Sequence, residues 1–493
     1  MRLRDLARDR VVWLFVVLTA AFFYRPLTTE TFFFRDLFLL FIPKKLLFAE
    51  AIRAGSIPLW DPCTNGGQPY LVIPGNFALH PSNLLYFVLP PLFAFNLVLV
   101  LHVLFCAIAA YWLARNLELP APAAFVTGIA FAFCGYTLSI TNLTPLLLGM
   151  PWIPMTIGLT HRALRDRRSI APAAIAAAMP LFGAAAELTA MLFVLVIVWV
   201  AFARFDVSPR QRVAAVAIVI LGAIGVSLIC TLPATSVIAQ SARGVEHRTY
   251  ESFTSWSVHP FRLPELIVPQ FFGRTDTLEE RDYWGRRWET EGFPYILSIY
   301  LGVPVLLLAI FGALARDRLR IALGIVALVA MILACGRYVP GFRLIYDYVP
   351  LVTIFRYPIK AMMLALLPIA LLAGFGVQTA KRRSLAIVAA AIGVTMLFLT
   401  FVHAAIASLL FAGALFVKRR EIAIAVVVAA DLLVAGFTVN VYAPRSFFDE
   451  PPLAGVVRKL AGPMRFYAER HLLEIHAPTN EVRWLEQAEL QSL

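Results

Sequence analysis

The chain has 493 residues, 60% of them hydrophobic and only 15% charged. Soluble domains carry about 25% charged and about 45–50% apolar residues, so these proportions exclude a soluble globular protein and indicate a polytopic membrane protein. The formal net charge of +13 does not point to nucleic acid, because the basic residues fall in short clusters between apolar runs, as membrane topology produces.

In chain order, the N-terminal MRLRDLARDRVVWLFVVLTAAFFY superficially resembles a signal peptide. Its apolar part continues through Phe22, Phe23 and Tyr24 without a small-residue cleavage site, so an uncleaved first span is expected. Apolar runs near 11–25, 92–114, 120–141, 143–160, 169–186, 187–204, 213–237, 293–314, 319–336, 356–379, 384–401, 402–417 and 421–440 follow. Several are at or below the short end of the usual length, about 17–25 residues, and the pairs meeting at Glu187 and His403 are candidate re-entrant segments. The expectation is an all-α polytopic integral membrane protein of about 13 transmembrane helices, occupying residues 1–440, with a short extracytoplasmic segment at 441–493.

Basic clusters test this map. They lie at Arg2–Arg10, Arg115, Arg162–Arg168, Arg204–Arg212, Arg316–Arg320, Lys381–Arg383 and Lys418–Arg420, after every second span. By the positive-inside tendency they are cytoplasmic, which puts the N-terminus inside and the C-terminus outside. The long loops 26–91, 238–292 and 337–355 then lie on the extracytoplasmic face, where Trp, Pro, His and acidic residues concentrate. Cys106, Cys134, Cys230 and Cys335 fall in expected spans and Cys63 in a loop, with no spacing that suggests a disulfide framework or a zinc site. No internal repeat or low-complexity tract stands out.

The first long loop is far longer than a connector of about 2–8 residues needs to be. It opens with RDLFLLFIPKKLLFAEAIR, in which Leu37, Leu40, Phe41, Leu47 and Phe48 suit an interfacial helix and Lys44, Lys45, Glu50 and Arg53 would face water or headgroups. Asp36, at its start, either pairs with Arg35 or caps that helix, or serves as a general base beside a lipid phosphate at the membrane surface. Asp61, in PLWDPCTNGG, is a second candidate acid, although Asp before Pro commonly shapes a turn. His80, in NFALHPSN, suits a phosphate or sugar hydroxyl or a His-Pro turn. His102 lies within the second span, where ionisable groups are functional by default, the alternative being a neutral imidazole bonded to a backbone carbonyl. Glu187 joins two apolar runs, a costly position for an unpaired carboxylate. Asp431, late in the last span, suits interhelical hydrogen bonding.

The expected outer-face cations are Arg243, Arg248, Arg262, Arg343, Arg356 and Lys360. Arg356 and Lys360, four apart, would share a helical face. Guanidinium offers bidentate geometry to a phosphate, whereas snorkelling to headgroups is the alternative. The segment 273–294, GRTDTLEERDYWGRRWETEGFP, suits either a saccharide-facing surface or a solvated loop. No Walker A, GxGxxG, HExxH or GxSxG motif occurs in its required context, which lowers the standing of ATPase, dinucleotide and hydrolase chemistry.

Several short motifs resemble those of the bacterial YfhO-like membrane proteins of the GT-C glycosyltransferase superfamily. They are Asp36-Leu37, Pro58-Leu59-Trp60-Asp61-Pro62, Gly67-Gln68-Pro69, Pro81-Ser82-Asn83, the second-span His102, Trp152-Ile153-Pro154, Phe271-Phe272-Gly273 and Phe355-Arg356-Tyr357-Pro358. The resemblance implies a GT-C-like fold, a bacterial cytoplasmic membrane location, a catalytic acid in the first extracytoplasmic loop matching Asp36, and a polyprenyl-phosphate-linked sugar donor. Asp61 stands where the family has Asn, and the family's Gly-His-Pro-Glu is reduced to AAAE ending at Glu187. Relatives commonly carry a larger extracytoplasmic domain after the last span.

These observations lead to an expected inverting glycosyltransferase, with Asp36 or Asp61 catalytic and His80, His102, Glu187, Arg243, Arg356 and Lys360 contacting substrate. The expected partners are the polyprenyl-phosphate-sugar donor, membrane lipids, an extracytoplasmic glycan, lipid or protein acceptor, and a possible membrane protein partner, with no nucleic acid. No organic cofactor is expected, no metal ligands are assigned, and a divalent metal remains compatible. The rival readings are a transporter or flippase of lipid-linked saccharides and a non-catalytic subunit. Transporters often carry inverted repeats and broken helices at midplane, whereas polar features here cluster on one face.

Overall fold

The computed structural model describes residues 3–64, 67–240, 249–277, 280–349, 356–379, 381–449 and 459. The chain is mostly helical, with two small two-stranded sheets in place of an all-α loop region. The expected C-terminal segment 441–493 lies almost wholly outside the described residues, as do Arg243, Arg248 and Phe355.

Among the described residues, three helices are long and apolar enough to cross a membrane: Pro91–Asn116, Pro209–Ile238 and Pro358–Thr379. The pair Ala121–Ala132 and Gly135–Asn142, bent by 42°, makes a fourth if it is one span. Arg10–Phe22, Ala186–Phe202, Val303–Ala313 and Val402–Ala414 are apolar but shorter. The count of about 13 expected from apolar runs of spanning length thus exceeds the number of helices that meet it. Proline, glycine and extended backbone account for much of the difference. The run 120–141 breaks where Cys134 adopts an extended conformation, and 143–160 breaks before Trp152, where Met150 and Pro151 separate two helices. In 293–314, Gly302 at φ 87° and Pro304 confine the helix to Val303–Ala313.

The non-helical stretch before Val303 is tied to the broken helix by hydrogen bonds. The Gly135 N–H donates to Tyr300 O (2.7 Å), and the Ser298 N–H donates to Ser139 Oγ (2.8 Å). Irregular backbone among apolar helices persists only where protein supplies such partners.

The helix Met362–Thr379 is the central post, buried along nearly its whole length. It packs against Val303–Ala313, Arg318–Ala334 and Ala121–Ala132. Small residues permit its closest approach, as between membrane helices generally. A Cβ on Gly376 would lie 2.0 Å from Leu308 O, and one on Gly312 would lie 2.0 Å from Leu372 O. By contrast, Val213, Leu221, Ile229 and Leu232 on Pro209–Gln240 are exposed, as expected of a lipid-facing helix. The pair meeting at His403 forms a packed hairpin of Arg382–Phe398 and Val402–Ala414.

The long loops gather at one end. Strand β1 (Glu30–Phe32) pairs antiparallel with the strand Tyr442–Pro444, after the last helix. Asn96 fixes the start of the first loop, its amide donating to Pro26 O (2.8 Å) and Glu30 O (2.9 Å). Phe34 packs on Phe293, and Trp256 on Tyr357. Away from this assembly, two of the basic turns meet through Arg204 and Asp317 at 3.5 Å.

The helix following Asp36 departs from its expected polarity. A π-helical turn Leu37–Phe41 leads into Ile42–Arg53, and Lys44 and Lys45 are buried, not facing water or headgroups. Lys45 Nζ donates to Asn83 Oδ1 (2.8 Å) and Asn76 O (3.0 Å) and lies 4.1 Å from the Phe77 ring centroid. These contacts hold the loop's later turns against the helix, while burial pushes the Lys45 pKa well down.

Candidate functional site

Where the loops converge, the chain assembles a charged, aromatic cluster from four separate segments. The first is the turn after β1. Arg35 adopts left-handed backbone at φ 41°, and Asp36 follows it, solvent-exposed at the start of the π-helical turn. The turn lifts both polar side chains out of the surrounding run of buried phenylalanines, Phe32, Phe33 and Phe34.

The second segment supplies Glu187, in the first turn of Ala186–Phe202. A carboxylate is favourable there because the helix N-terminus carries partial positive charge. The third supplies Tyr357 and Lys360, at the turn leading into the central helix. Glu187 Oε2 accepts from Lys360 Nζ at 2.6 Å, with both side chains largely buried. The Lys360 ammonium also sits 5.0 Å from the Tyr357 ring centroid and 5.6 Å from that of Tyr295. This answers the cost of placing Glu187 between apolar runs: its charge is paired.

The fourth segment is 256–302. Trp256, Tyr295 and Tyr357 form an aromatic cluster, with centroid separations of 4.5 Å for Trp256–Tyr357, 5.0 Å for Tyr295–Tyr357 and 5.2 Å for Trp256–Tyr295. Tyr357 is itself left-handed at φ 68°, immediately before a proline. Such backbone costs on the order of 1–3 kcal/mol at a non-glycine residue and persists only where packing enforces it. Two strained residues, Arg35 and Tyr357, therefore belong to one cluster.

The electrostatics run through the same residues. Burial pulls the Arg35 pKa down, opposed by Asp36, Tyr295, Glu289 and Tyr357. Tyr295 is pushed well up, first by burial and then by Glu187, Tyr357 and Asp36. Asp36, Glu187 and Lys360, nominated separately by sequence, thus belong to one neighbourhood. Arg356 stands at its margin, 5.2 Å from the Tyr357 ring centroid.

The other nominated residues lie elsewhere. Asp61 is buried in the small β2–β3 pair, Trp60–Asp61 with Gln68–Pro69. Its Oδ1 accepts from the Cys63 N–H (2.9 Å) and Thr64 N–H (3.3 Å), and its Oδ2 from Thr64 Oγ1 (2.6 Å). Burial pushes its pKa up, but hydrogen bonds from Thr64, Cys63 and Gln68 outweigh this and hold it below the usual value. The geometry is that of a turn-forming acid. His80 and His102 face each other at 5.6 Å between ring centroids. His80 Nδ1 accepts from the Ser82 N–H at 3.2 Å, and His102 Nδ1 lies 2.7 Å from Val98 O.

Among the remaining expected cations, Arg262 is buried and committed to structure. It donates to Glu265 (2.8 Å), Glu289 (3.0 Å) and Ile296 O (2.5 Å). Burial pulls its pKa down, and the two carboxylates more than reverse this. Arg343 is exposed, 3.7 Å from Asp347. Asp431 Oδ1 accepts from the Tyr300 hydroxyl (2.6 Å) and lies 2.9 Å from His403 Nε2, joining helices as expected. No three His, Cys, Asp or Glu side chains converge as a metal site among the described residues.

Sequence reasoning passed over Arg35, except as a partner for Asp36, and it passed over Tyr295 and Tyr357 entirely. Tyr357 occupies the variable position of Phe-Arg-x-Pro, and Tyr295 falls in a run read as the beginning of a span. The one available signal was the Phe293-Pro294-Tyr295 sequence, in which proline argues against continuous helix.

No protein-family model matches the chain, and no curated protein matches it by sequence. In fold it is similar to the crystal structure of ArnT from Cupriavidus metallidurans in the apo state, with 15% identity, a TM-score of 0.48, and coverage of 87% of this chain and 75% of that one. Against the same protein bound to undecaprenyl phosphate, the identity is 17%, the TM-score 0.47, and the coverage 87% and 76%. A cryo-EM structure of a mutant of the arabinofuranosyltransferase AftD from Mycobacteria matches at 15% identity and a TM-score of 0.46, covering 82% of this chain and 27% of that one. These are likenesses of chain path, and no residue's role is taken from them.

Proposed function

We propose that the chain is a YfhO-like membrane glycosyltransferase of the GT-C type. It moves a sugar from a polyprenyl-phosphate-linked donor to an extracytoplasmic acceptor, with its N-terminus cytoplasmic and residues 1–440 as the multi-span domain. The observation that carries the reading is Asp36: an exposed carboxylate among Arg35, Tyr295 and the Glu187–Lys360 pair, where the long loops meet.

In the reaction, the acceptor hydroxyl oxygen attacks the anomeric carbon from the face opposite the phosphate. The bond from that carbon to the phosphate oxygen breaks, and its electron pair leaves with the lipid phosphate. The hydroxyl proton passes to the Asp36 carboxylate. Fixed positive charge stabilises the departing phosphate, the kind of electrostatic contribution that is usually largest in such sites. Glu187 holds the Lys360 ammonium in place, and the tyrosines with Trp256 present an aromatic wall to the sugar. Asp61, with both oxygens engaged in its own turn, is assigned to structure.

The test is sugar transfer from a polyprenyl-phosphate donor by Asp36→Asn and Asp61→Asn in the purified protein. Asp36→Asn is expected to lose about 10²–10⁴-fold in turnover, the usual contribution of a general base. Asp61→Asn is expected to keep turnover per folded molecule. Full activity in Asp36→Asn overturns the assignment.

A further inference from the structure

Among the described residues, the guanidinium of Arg35 has no acceptor. Its cation lies 5.0 Å from the Phe34 ring centroid and 5.2 Å from that of Phe293. Neither ring accepts the in-plane N–H donors, of which a guanidinium has five, and among the described residues the guanidinium makes no hydrogen bond or ion pair, the residue's own bonds being those its carbonyl accepts from the Phe38 and Leu39 N–H groups. Its position is nonetheless closely defined. The backbone is held left-handed at φ 41°, the side chain is only partly exposed, and two aromatic faces fix the cation between them. Attraction to ring faces is worth more where water is displaced, so this arrangement orients the group while leaving its donors open.

A second open donor stands beside it. The Tyr295 ring packs on Trp256 and Tyr357, but its hydroxyl makes no hydrogen bond with another described residue. Tyr295 lies two residues beyond Phe293, the ring beneath Arg35, and the two polar groups influence each other's ionisation.

Two of the acids near these donors are engaged with other partners. Glu289 accepts from Arg262 at 3.0 Å and from the Tyr283 hydroxyl at 3.1 Å. Glu187 accepts from Lys360 at 2.6 Å. That second pairing also bears on where an anion binds: a phosphate placed on Lys360 would compete with Glu187 for the ammonium, whereas one placed on Arg35 would lie beside Asp36, whose charge acts on the guanidinium.

We infer that Arg35 and Tyr295 form an anion-binding site in this cluster, which takes the phosphate oxygens of the lipid-linked donor. The identification of the anion as that donor rests on the glycosyltransferase reading; the anion site itself does not. Arg35 supplies charge and two parallel N–H donors, a geometry that matches phosphate, and Tyr295 supplies a neutral hydroxyl donor to a further oxygen. Phe34 and Phe293 act as positioning residues that hold the guanidinium edge toward the site. Since Asp36 follows Arg35 directly in the chain, anchoring the phosphate on Arg35 brings the anomeric carbon next to the proposed base.

The experiment measures binding of undecaprenyl phosphate and, separately, of inorganic phosphate to the full chain in nanodiscs. Wild type is compared with Arg35→Ala, Arg35→Lys and Tyr295→Phe, and thermal unfolding of each variant verifies folding. Arg35→Ala is expected to weaken undecaprenyl phosphate binding by about tenfold or more, the usual scale for a charge-assisted hydrogen bond. Arg35→Lys is expected to recover part of that loss and Tyr295→Phe to show a smaller one. Should Arg35→Ala fail to fold, Arg35→Lys and Tyr295→Phe decide: wild-type affinity in both overturns the inference. Wild-type affinity in folded Arg35→Ala overturns it too, even if Asp36→Asn abolishes transfer and the glycosyltransferase reading stands. Inorganic phosphate binding that depends on Arg35, without undecaprenyl phosphate binding, supports the anion site and overturns the lipid-linked donor.

Discussion

His80 shows how a single side chain can be shaped by its surroundings into a neutral structural element. It is 3% exposed, and its Nε2 is buried without a hydrogen-bond partner. Burial, reinforced by His102 and Lys45, pushes its pKa down from 6.5 to about 3. In the folded chain His80 stays neutral across the range in which an exposed imidazole gains a proton. The unfolded chain therefore binds more protons below about pH 6.5, and stability falls as pH falls from there toward about 3. The slope from this one group approaches about 1.4 kcal/mol per pH unit. Thermal unfolding in detergent between pH 7.5 and 5 is expected to reveal it, with a flatter dependence in His80→Gln. An unchanged slope in that variant would remove His80 as the cause. The same contrast explains which site residues were legible in the sequence. Asp36 and Glu187 were visible because an acid between apolar runs violates a pattern. Arg35 and Tyr295 were not, since their proposed role rests on donors left open among the described residues, which only three-dimensional neighbours reveal.

At the scale of helices, apolar runs disclosed most elements, and their breaks explain the rest. The expected runs 319–336 and 421–440 became Arg318–Ala334 and Arg420–Gly436 with little change, because nothing in them competes with helix. The run 293–314 failed because hydropathy does not register backbone geometry: Gly302 requires positive φ, and the Asp431 carboxylate would lie 2.3 Å from any Cβ there. Lys44 and Lys45 were misread for a related reason, since an ammonium buried against Asn83 has the same sequence pattern as one facing headgroups. Close helix packing gives a sharper prediction. Because the Leu308 carbonyl leaves no room for a Cβ on Gly376, Gly376→Ala must separate Val303–Ala313 from the central helix. Overpacking of this kind costs about 1–3 kcal/mol. Gly413→Ala, where nothing lies within 4 Å of the added carbon, serves as the control. The expected outcome is lower thermal stability in detergent for Gly376→Ala alone, and equal stability of the two variants would show that the helices shift freely.

At the scale of the whole molecule, the alternation of basic turns with long aromatic loops is the feature that organises all others. The fold brings those loops together in space: Phe32 pairs with Tyr442, Phe33 packs on Phe447, Phe34 on Phe293 and Trp256 on Tyr357, and the Arg337 N–H donates to Ser257 Oγ. The candidate site, built from the turn at Arg35, Glu187, Tyr357 with Lys360, and Trp256 with Tyr295, has no compact motif, so the sequence could indicate its face but not its membership. The proposed orientation of that face rests on the positive-inside tendency and can be tested with the protein's own cysteines. Cys63 is exposed within the first loop, whereas Cys106 and Cys134 are buried and Cys230 and Cys335 are partly covered. Arg167 is exposed in a basic turn between helices. On intact cells, a membrane-impermeant maleimide is expected to label Cys63. Arg167→Cys, in a Cys63→Ser background, is expected to react only after permeabilisation. Labelling of both on intact cells would break the alternation itself. Labelling of the Arg167 position alone would preserve the alternation but invert it, moving the Asp36 site to the cytoplasmic face and the sugar donor with it.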